Sequence, residues 1–161
     1  MQPEAVIQVL NEPLAQELLH SPDLARLAYN GLDGCPRVIP IGYVWNGGQV
    51  IVCTATNAPK VRALATNPKV ALTIDTDTQP PHVLLMRGTA EVEVVEGVPS
   101  EFLAASKKYI GSEQWQAYEG QVRALYKQMA RITIVPEWAK LLDFETKLPI
   151  AVERLIAQRD Q

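Results

Sequence analysis

Residues 33–75 read DGCPRVIPIGYVWNGGQVIVCTATNAPKVRALATNPKVALTID, and their punctuation decides the fold class. Asp33-Gly34 and Asn46-Gly47-Gly48 are strong signals for two-residue hairpin turns. Between them Arg37 to Trp45 reads as a strand, rich in β-branched and aromatic side chains. Pro40 inside that run cannot donate a ladder hydrogen bond, so the strand there is exposed, bulged, or facing something other than a strand. Gly42 removes a side chain and permits a close backbone approach. Gln49 to Ala55 forms the next strand. Residues 58–66 suit a short helix with Asn57 as cap and Pro59 in its first turn. Asn67-Pro68 ends it, and Lys69 to Asp75 has the clean period of two expected of a strand.

Working outward, Pro3 to His20 carries apolar residues at helical intervals, with Pro13 starting a second helical piece. Asp23 to Tyr29 alternates as a first strand. His82 to Val95 is a long strand with a break expected at Gly88. The period then changes: Val98 to Ile110 and Glu113 to Met129 are helical, with Ser100 and Ser112 as caps. Arg131 to Val135 returns to strand, PEWAKLLDF follows, and Ile150 to Arg159 is a last helix. No internal repeat or linker divides the chain. Residues 1–161 are expected to be one domain, with a helical segment at 1–22, a helical insertion at 98–129 and a C-terminal helix at 148–161. Six strands joined mostly by tight antiparallel turns point to a mainly β, α+β architecture, a small closed or split barrel with peripheral helices.

The bulk properties narrow the function. The 161 residues are 47% hydrophobic and 20% charged, ordinary for a chain with a proper core. A formal net charge of −3 argues against nucleic acid as partner, because a phosphate backbone calls for a basic surface. No apolar run approaches the ~20 residues of a membrane helix, so no membrane association is expected. MQPEAVIQVLNEPL lacks the pattern of a signal peptide, and a cytoplasmic location is the expectation. Cys35 and Cys53 are offset by about six residues across the hairpin, roughly 20 Å at ~3.3 Å per residue. That is beyond disulfide reach, so both are expected to be free, buried thiols.

Familiar catalytic signatures are missing. There is no GxGxxG, P-loop or GxSxG. The two histidines, His20 and His82, have no Cys, Asp or Glu at local metal-ligand spacing, so no metal site is expected and no catalytic residue is assigned. His82 reads as a strand-start residue and His20 as a helix C-terminal charge. A chain this poor in acid–base groups would rely on a bound cofactor for redox chemistry. The stretch from Thr54 to Arg62 is where an anionic cofactor would be held. Thr54 and Thr56 supply hydroxyls, the short helix supplies N–H groups and a favourable dipole, and Lys60 and Arg62 supply cations. Solvated surface charge is the alternative reading of Lys60.

Residues 33–75 also resemble the core of the pyridoxamine 5'-phosphate oxidase-like family, the flavin-binding split barrels. The shared features are the DG turn, a strand with central Pro40, the Asn46-Gly47 hairpin, the hydroxyl-rich Thr54 to Thr56, Lys60-Val61 with Leu64, and Asn67-Pro68 with Val70 and Leu72. Arg87-Gly88-Thr89-Ala90 and RITIVPEWAKLLDF (Arg131 to Phe144) fit the same layout, so the resemblance spans most of residues 23–144. It implies a six-stranded antiparallel Greek-key split barrel and a homodimer with FMN between subunits. The phosphate would meet Thr54, Ala55, Thr56, Lys60 and Arg62. Arg37, Val38, Ile39, Pro40 and Ile41 would run along the flavin ring, with Gly42 also giving the ring room, and Arg87 would reach the phosphate or ring edge. Trp115 and Trp138 are candidates for the cleft wall.

The implied activity is an FMN-dependent oxidoreductase that passes a hydride to or from a small substrate. Two features depart from the family. Ala58-Pro59 stands where serine is common, removing one phosphate donor, and the chain closes on the mixed-charge IAVERLIAQRDQ where vitamin-B6 oxidases carry a basic segment. Pyridoxamine phosphate is therefore not the expected substrate. A deazaflavin coenzyme is the alternative cofactor, its acidic tail met by Lys107, Lys108 and Arg123. A non-catalytic flavin- or haem-binding carrier or sensor is the alternative function, and a barrel that has lost its ligand, acting as an interaction protein, is a third reading.

Overall fold

A computed structural model describes residues 1–159, which leaves Asp160 and Gln161, the end of the expected C-terminal helix segment, outside the described residues. The strands are β1 (Ala25–Asn30), β2 (Pro36–Ile41), β3 (Val44–Trp45), β4 (Val50–Thr54), β5 (Lys69–Asp75), β6 (His82–Glu96) and β7 (Gln128–Asp143). The helices are α1 (Pro3–Leu10), α2 (Pro13–His20), α3 (Pro59–Thr66), α4 (Ser100–Ser106), α5 (Ser112–Leu125) and α6 (Ile150–Arg159). Among the described residues, no helix is long and apolar enough to cross a membrane.

The strands form one sheet in the order β2-β1-β5-β6-β7-β4-β3, and every pairing is antiparallel. Its two edge strands, β2 and β3, are separated in the chain only by Gly42 and Tyr43. Three Cα steps of ~3.8 Å keep Ile41 and Val44 within about 11 Å, whereas the edges of a flat seven-stranded sheet at ~4.8 Å per strand would stand about 29 Å apart. The sheet must therefore curl until its edges approach. The edges do not pair with each other, and the result is a split barrel. β4 lies beside β7 although α3 carries the chain from β4 across to β5, which makes the β4–β7 set a Greek key.

Six strands were expected and seven are found among the described residues, because the Arg37–Trp45 run divides at Gly42-Tyr43. Tyr43 is buried there and donates its hydroxyl to Leu18 O (2.9 Å). A Cβ on Gly42 would stand 1.9 Å from Tyr109 Oη. The group that approaches Gly42 is thus a side chain of the helical insertion, which corrects the expectation that the glycine makes room for a ring of a cofactor.

The expected break at Gly88 is a β-bulge between Arg87 and Gly88, where a Cβ would meet Val135 O at 2.1 Å. Opposite it, Pro136 sits inside β7, and the strand continues through Asp143 rather than ending at Val135. The helix expected to reach Met129 stops at Leu125, because Met129 and Ala130 are already buried in β7. Helix caps also differ: α3 is capped by Ala58 rather than Asn57, and Ser100 and Ser112 are first helical residues. Both thiols are free, but Cys35 is exposed and Cys53 half-buried. The core is built from alternate strand residues, including Leu27, Leu72, Ile74, Leu84, Met86, Ile132 and Ile134, and is closed by Leu18 and Leu19 of α2.

The two crowded glycines respond differently to a methyl group. Gly88→Ala pushes against a backbone carbonyl and is expected to cost about 1–3 kcal/mol. Gly42→Ala pushes against the tip of a half-exposed tyrosine that can swing away, and should cost clearly less. Urea unfolding of both variants checks the order.

Candidate functional site

The junction from β4 into α3 gathers the residues singled out by sequence. Thr54, the last residue of β4, pairs with Ala130 of β7. Thr54 and Ala55 are half-buried and Thr56 is exposed, and the two threonine hydroxyls have no hydrogen-bond partner among the described residues. Helix α3 opens on Ala58 with no side-chain cap and with Pro59 in its first turn. Pro59 has no N–H and the Val61 amide donates to Ala58 O (2.9 Å), which leaves the Lys60 amide as the first-turn donor that suits an external acceptor. Lys60 is half-buried and has no carboxylate partner among the described residues, and burial pushes its ammonium below the ordinary lysine range.

A cleft of about 400 Å³ opens beside this junction, lined by Tyr29, Asp33, Arg37, Asn57, Pro59 and Arg62, among others. The fold thus brings Arg37 of the edge strand and Arg62 of α3 to one cleft. Arg37 donates to Asp33 Oδ2 (2.9 Å). That hydrogen bond, with the Cys35 amide, holds the Asp33 carboxyl below the usual range and raises the Arg37 guanidinium. Arg62 forms no ion pair among the described residues. Thr54, Thr56 and Lys60 adjoin this cleft in sequence but are not among its lining residues, and neither are Val38, Ile39, Pro40 and Ile41. Those four run along β2, whose outer edge pairs with no strand. Val38 is 67% exposed there and Pro40 stands opposite Arg26.

Arg87 is placed elsewhere. Its guanidinium lies 3.9 Å from the centre of the Trp138 ring, across the β6–β7 ladder, and it lines a second, shallower cleft of about 240 Å³ with Tyr29, Pro36 and Lys69. Tyr29 borders both clefts. Trp115 lines a separate pocket with Lys107, whose Nζ is 4.9 Å from its ring centre. Arg123 is paired with Glu119 (2.7 Å). Lys108 Nζ sits 4.1 Å over the Tyr43 ring, buried and without a hydrogen-bond acceptor. The three cations expected at a cleft mouth are thus engaged by the insertion and the barrel junction.

Sequence reasoning missed Tyr29, Asp33 and Asn57 as cleft residues. Only the Asp33-Gly34 turn signal marked any of them, and it marked a hairpin. It also missed a constellation away from the cleft. His82 lies at hydrogen-bonding distance from Glu145 and 3.4 Å from Asp143, partners that local metal-ligand spacing could not bring into view.

The family model for pyridoxamine 5'-phosphate oxidase matches residues 12–139. The chain belongs to that family. No match is found among curated proteins. Among solved structures, an F420 reductase superposes with a TM-score of 0.63 at 23% identity, covering 78% of this chain and 94% of its own. A conserved hypothetical protein from Mycobacterium tuberculosis aligns at 0.59 and 18% identity, covering 92% and 89%. A haem storage protein from Vibrio cholerae aligns at 0.57 and 20%, covering 81% and 92%. At these identities the likenesses speak for the fold. The donor set at the β4–α3 junction fits a phosphorylated group of the kind family members bind: an unpaired ammonium, two unengaged hydroxyls and an uncapped helix start.

A half-buried ammonium with no counter-charge works against the fold. Because its value is lowered in the folded chain, the unfolded chain holds the extra proton in the window just below ~10.4, and stability rises with pH there. Lys60→Met removes that penalty. At pH 7 the ligand-free variant is expected to be at least as resistant to urea as the parent, and its stability should rise less across that alkaline window.

Proposed function

We propose that the chain is a homodimeric oxidoreductase that holds FMN at the subunit interface and passes a hydride to or from a small substrate. The observation that carries this reading is Lys60, a half-buried cation without an internal partner beside an uncapped helix start. In this reading Lys60 pairs with the cofactor phosphate, Thr54 and Thr56 donate their hydroxyls, and α3 adds its N-terminal dipole. Arg62 contributes a second cation from the adjoining cleft, and Ala55 keeps the strand end narrow. Arg37, Val38, Ile39 and Ile41 lie along the free edge of β2, where outward backbone groups can serve the polar rim of the ring. Pro40 gives up an N–H where no strand needs one. Arg87, stacked on Trp138, borders the second cleft and orients the substrate side. FMN, when bound, supplies the redox centre. The protein's contribution is to bind, orient and exclude water.

Exposed apolar side chains on the strands, Val38 at 67%, Val94 at 54% and Val135 at 46%, support a second copy covering the sheet. A deazaflavin coenzyme is the second reading. It is favoured by the likeness to an F420 reductase and by the pair of arginines in the cleft, which suits an acidic tail. Haem is less well served. His20 is exposed, with Nδ1 at 2.8 Å from Gln16 O, His82 is flanked by two carboxylates, and neither lines the cleft.

The visible absorption spectrum of the purified protein, before and after incubation with FMN or F420, separates these cofactors. Lys60→Ala is expected to weaken FMN binding by at least ~1 kcal/mol, the loss of a charge-assisted hydrogen bond. Unchanged affinity in a titration would remove Lys60 from the site, and a chain that takes up neither cofactor would leave the proposal without support. In sedimentation the species should run at twice the 17.8 kDa chain mass.

A further inference from the structure

We propose that His82, Asp143 and Glu145 bind a divalent cation of the zinc class, tying the first residue of β6 to the turn that leads toward α6. His82 Nε2 lies 3.4 Å from Asp143 Oδ1 and 3.2 Å from Glu145 Oε2. One ligand atom from each of the three residues falls within 4.8 Å of the others. Zinc bonds to imidazole and carboxylate are ~2.0–2.2 Å long, which sets neighbouring tetrahedral ligands about 3.3 Å apart. Both separations from His82 are those of adjacent ligands on one ion.

The ligands are also held for the purpose. His82 and Asp143 face each other in register across the β6–β7 ladder. The His82 amide donates to Thr76 Oγ1 (3.0 Å), fixing the strand start. Asp143 Oδ1 accepts the amides of Glu145 (3.0 Å) and Thr146 (3.2 Å), and Oδ2 accepts the Thr146 hydroxyl (2.5 Å). Outer hydrogen bonds of this kind orient ligating carboxylates in metal sites. The His82 and Asp143 side chains are sheltered, at 23% and 20% exposure, while Glu145 closes the site from the solvent side at 63%.

An internal ion pair explains the cluster less well. One imidazole N–H serves one carboxylate at a time, whereas a divalent cation binds both. Three protein ligands leave the fourth tetrahedral position for water, as in open zinc sites. The three residues share no member with the cleft at the β4–α3 junction, so the site stands or falls apart from the cofactor reading.

The test uses the tag-free full chain, stripped with chelator and titrated with Zn²⁺ by calorimetry, with Co²⁺ as a spectroscopic probe. One Zn²⁺ per chain, a raised unfolding temperature and visible tetrahedral Co²⁺ bands are expected. Glu145→Gln, at an exposed turn position, should weaken Zn²⁺ binding by at least about tenfold, and His82→Ala should remove the Co²⁺ bands. Absence of saturable Zn²⁺ binding, or binding unchanged in both variants, overturns the proposal.

Discussion

The link Gly42-Tyr43 is the constraint on which the rest of the structure depends. It joins the two edges of a seven-stranded sheet, and a sheet whose edges are tethered by two residues has no flat solution. Helix α2 and the turn after α4 hold the link in place. Helix α2 accepts the Tyr43 hydroxyl at Leu18 O, and Lys108 lies over the Tyr43 ring. Tyr109 brings its hydroxyl against the bare Cα of Gly42. Burial pushes the Tyr43 phenol up to about 12, so it remains a hydrogen-bond donor across the whole neutral range. The helical insertion between β6 and β7 therefore does structural work at the seam, which leaves fewer of its side chains for a ligand.

Curling the sheet also determines where a site can form. Because β4 lies between β7 and β3 while β5 lies beyond β6, the chain leaving Thr54 must cross the end of the barrel, and α3 makes that crossing. A helix laid across a barrel mouth presents its first turn at the rim, where Lys60 is half-sheltered and the strand-end threonines are left without partners. The bulge at Gly88 and Pro136 bends the longest strand pair at mid-length, letting β6 and β7 follow the curvature without breaking their ladder on either side.

What was legible in the sequence was local. Gly34 and Gly47 adopt positive φ of 78° and 98° where Asp-Gly and Asn-Gly mark a turn, although the first connection is the five-residue loop 31–35 rather than the expected two-residue turn. Lys69 to Asp75 buries every second residue as its period of two requires, and Gly88 interrupts its strand as expected. The misses share one cause, which is sequence separation. β7 runs to Asp143 because β6 offers a full-length partner, although Pro136 and the polar PEWAK pattern argue locally for a strand end. Tyr109 fills the space at Gly42 from the turn after α4, far along the chain. Glu145 meets His82 across 63 residues, so a rule that looks for ligands a few residues apart could not find it.

Charge pairing sorts the candidate site residues in a way residue type could not. In the sequence Arg37, Lys60, Arg62 and Arg87 look alike, as basic residues near a predicted phosphate site. In the fold, Arg37 is satisfied by Asp33 and Arg87 by the face of Trp138. Lys60 and Arg62 have no such partner among the described residues. A surface arginine loses little by standing alone in water, so Arg62 carries limited weight. Lys60 is different, because a partly desolvated ammonium without an anion is a cost that folding alone gives no reason to keep. Lys108 is desolvated too, but it has the face of the Tyr43 ring, so among the four candidate cations the asymmetry at Lys60 is the ground on which an external anion is proposed at the start of α3.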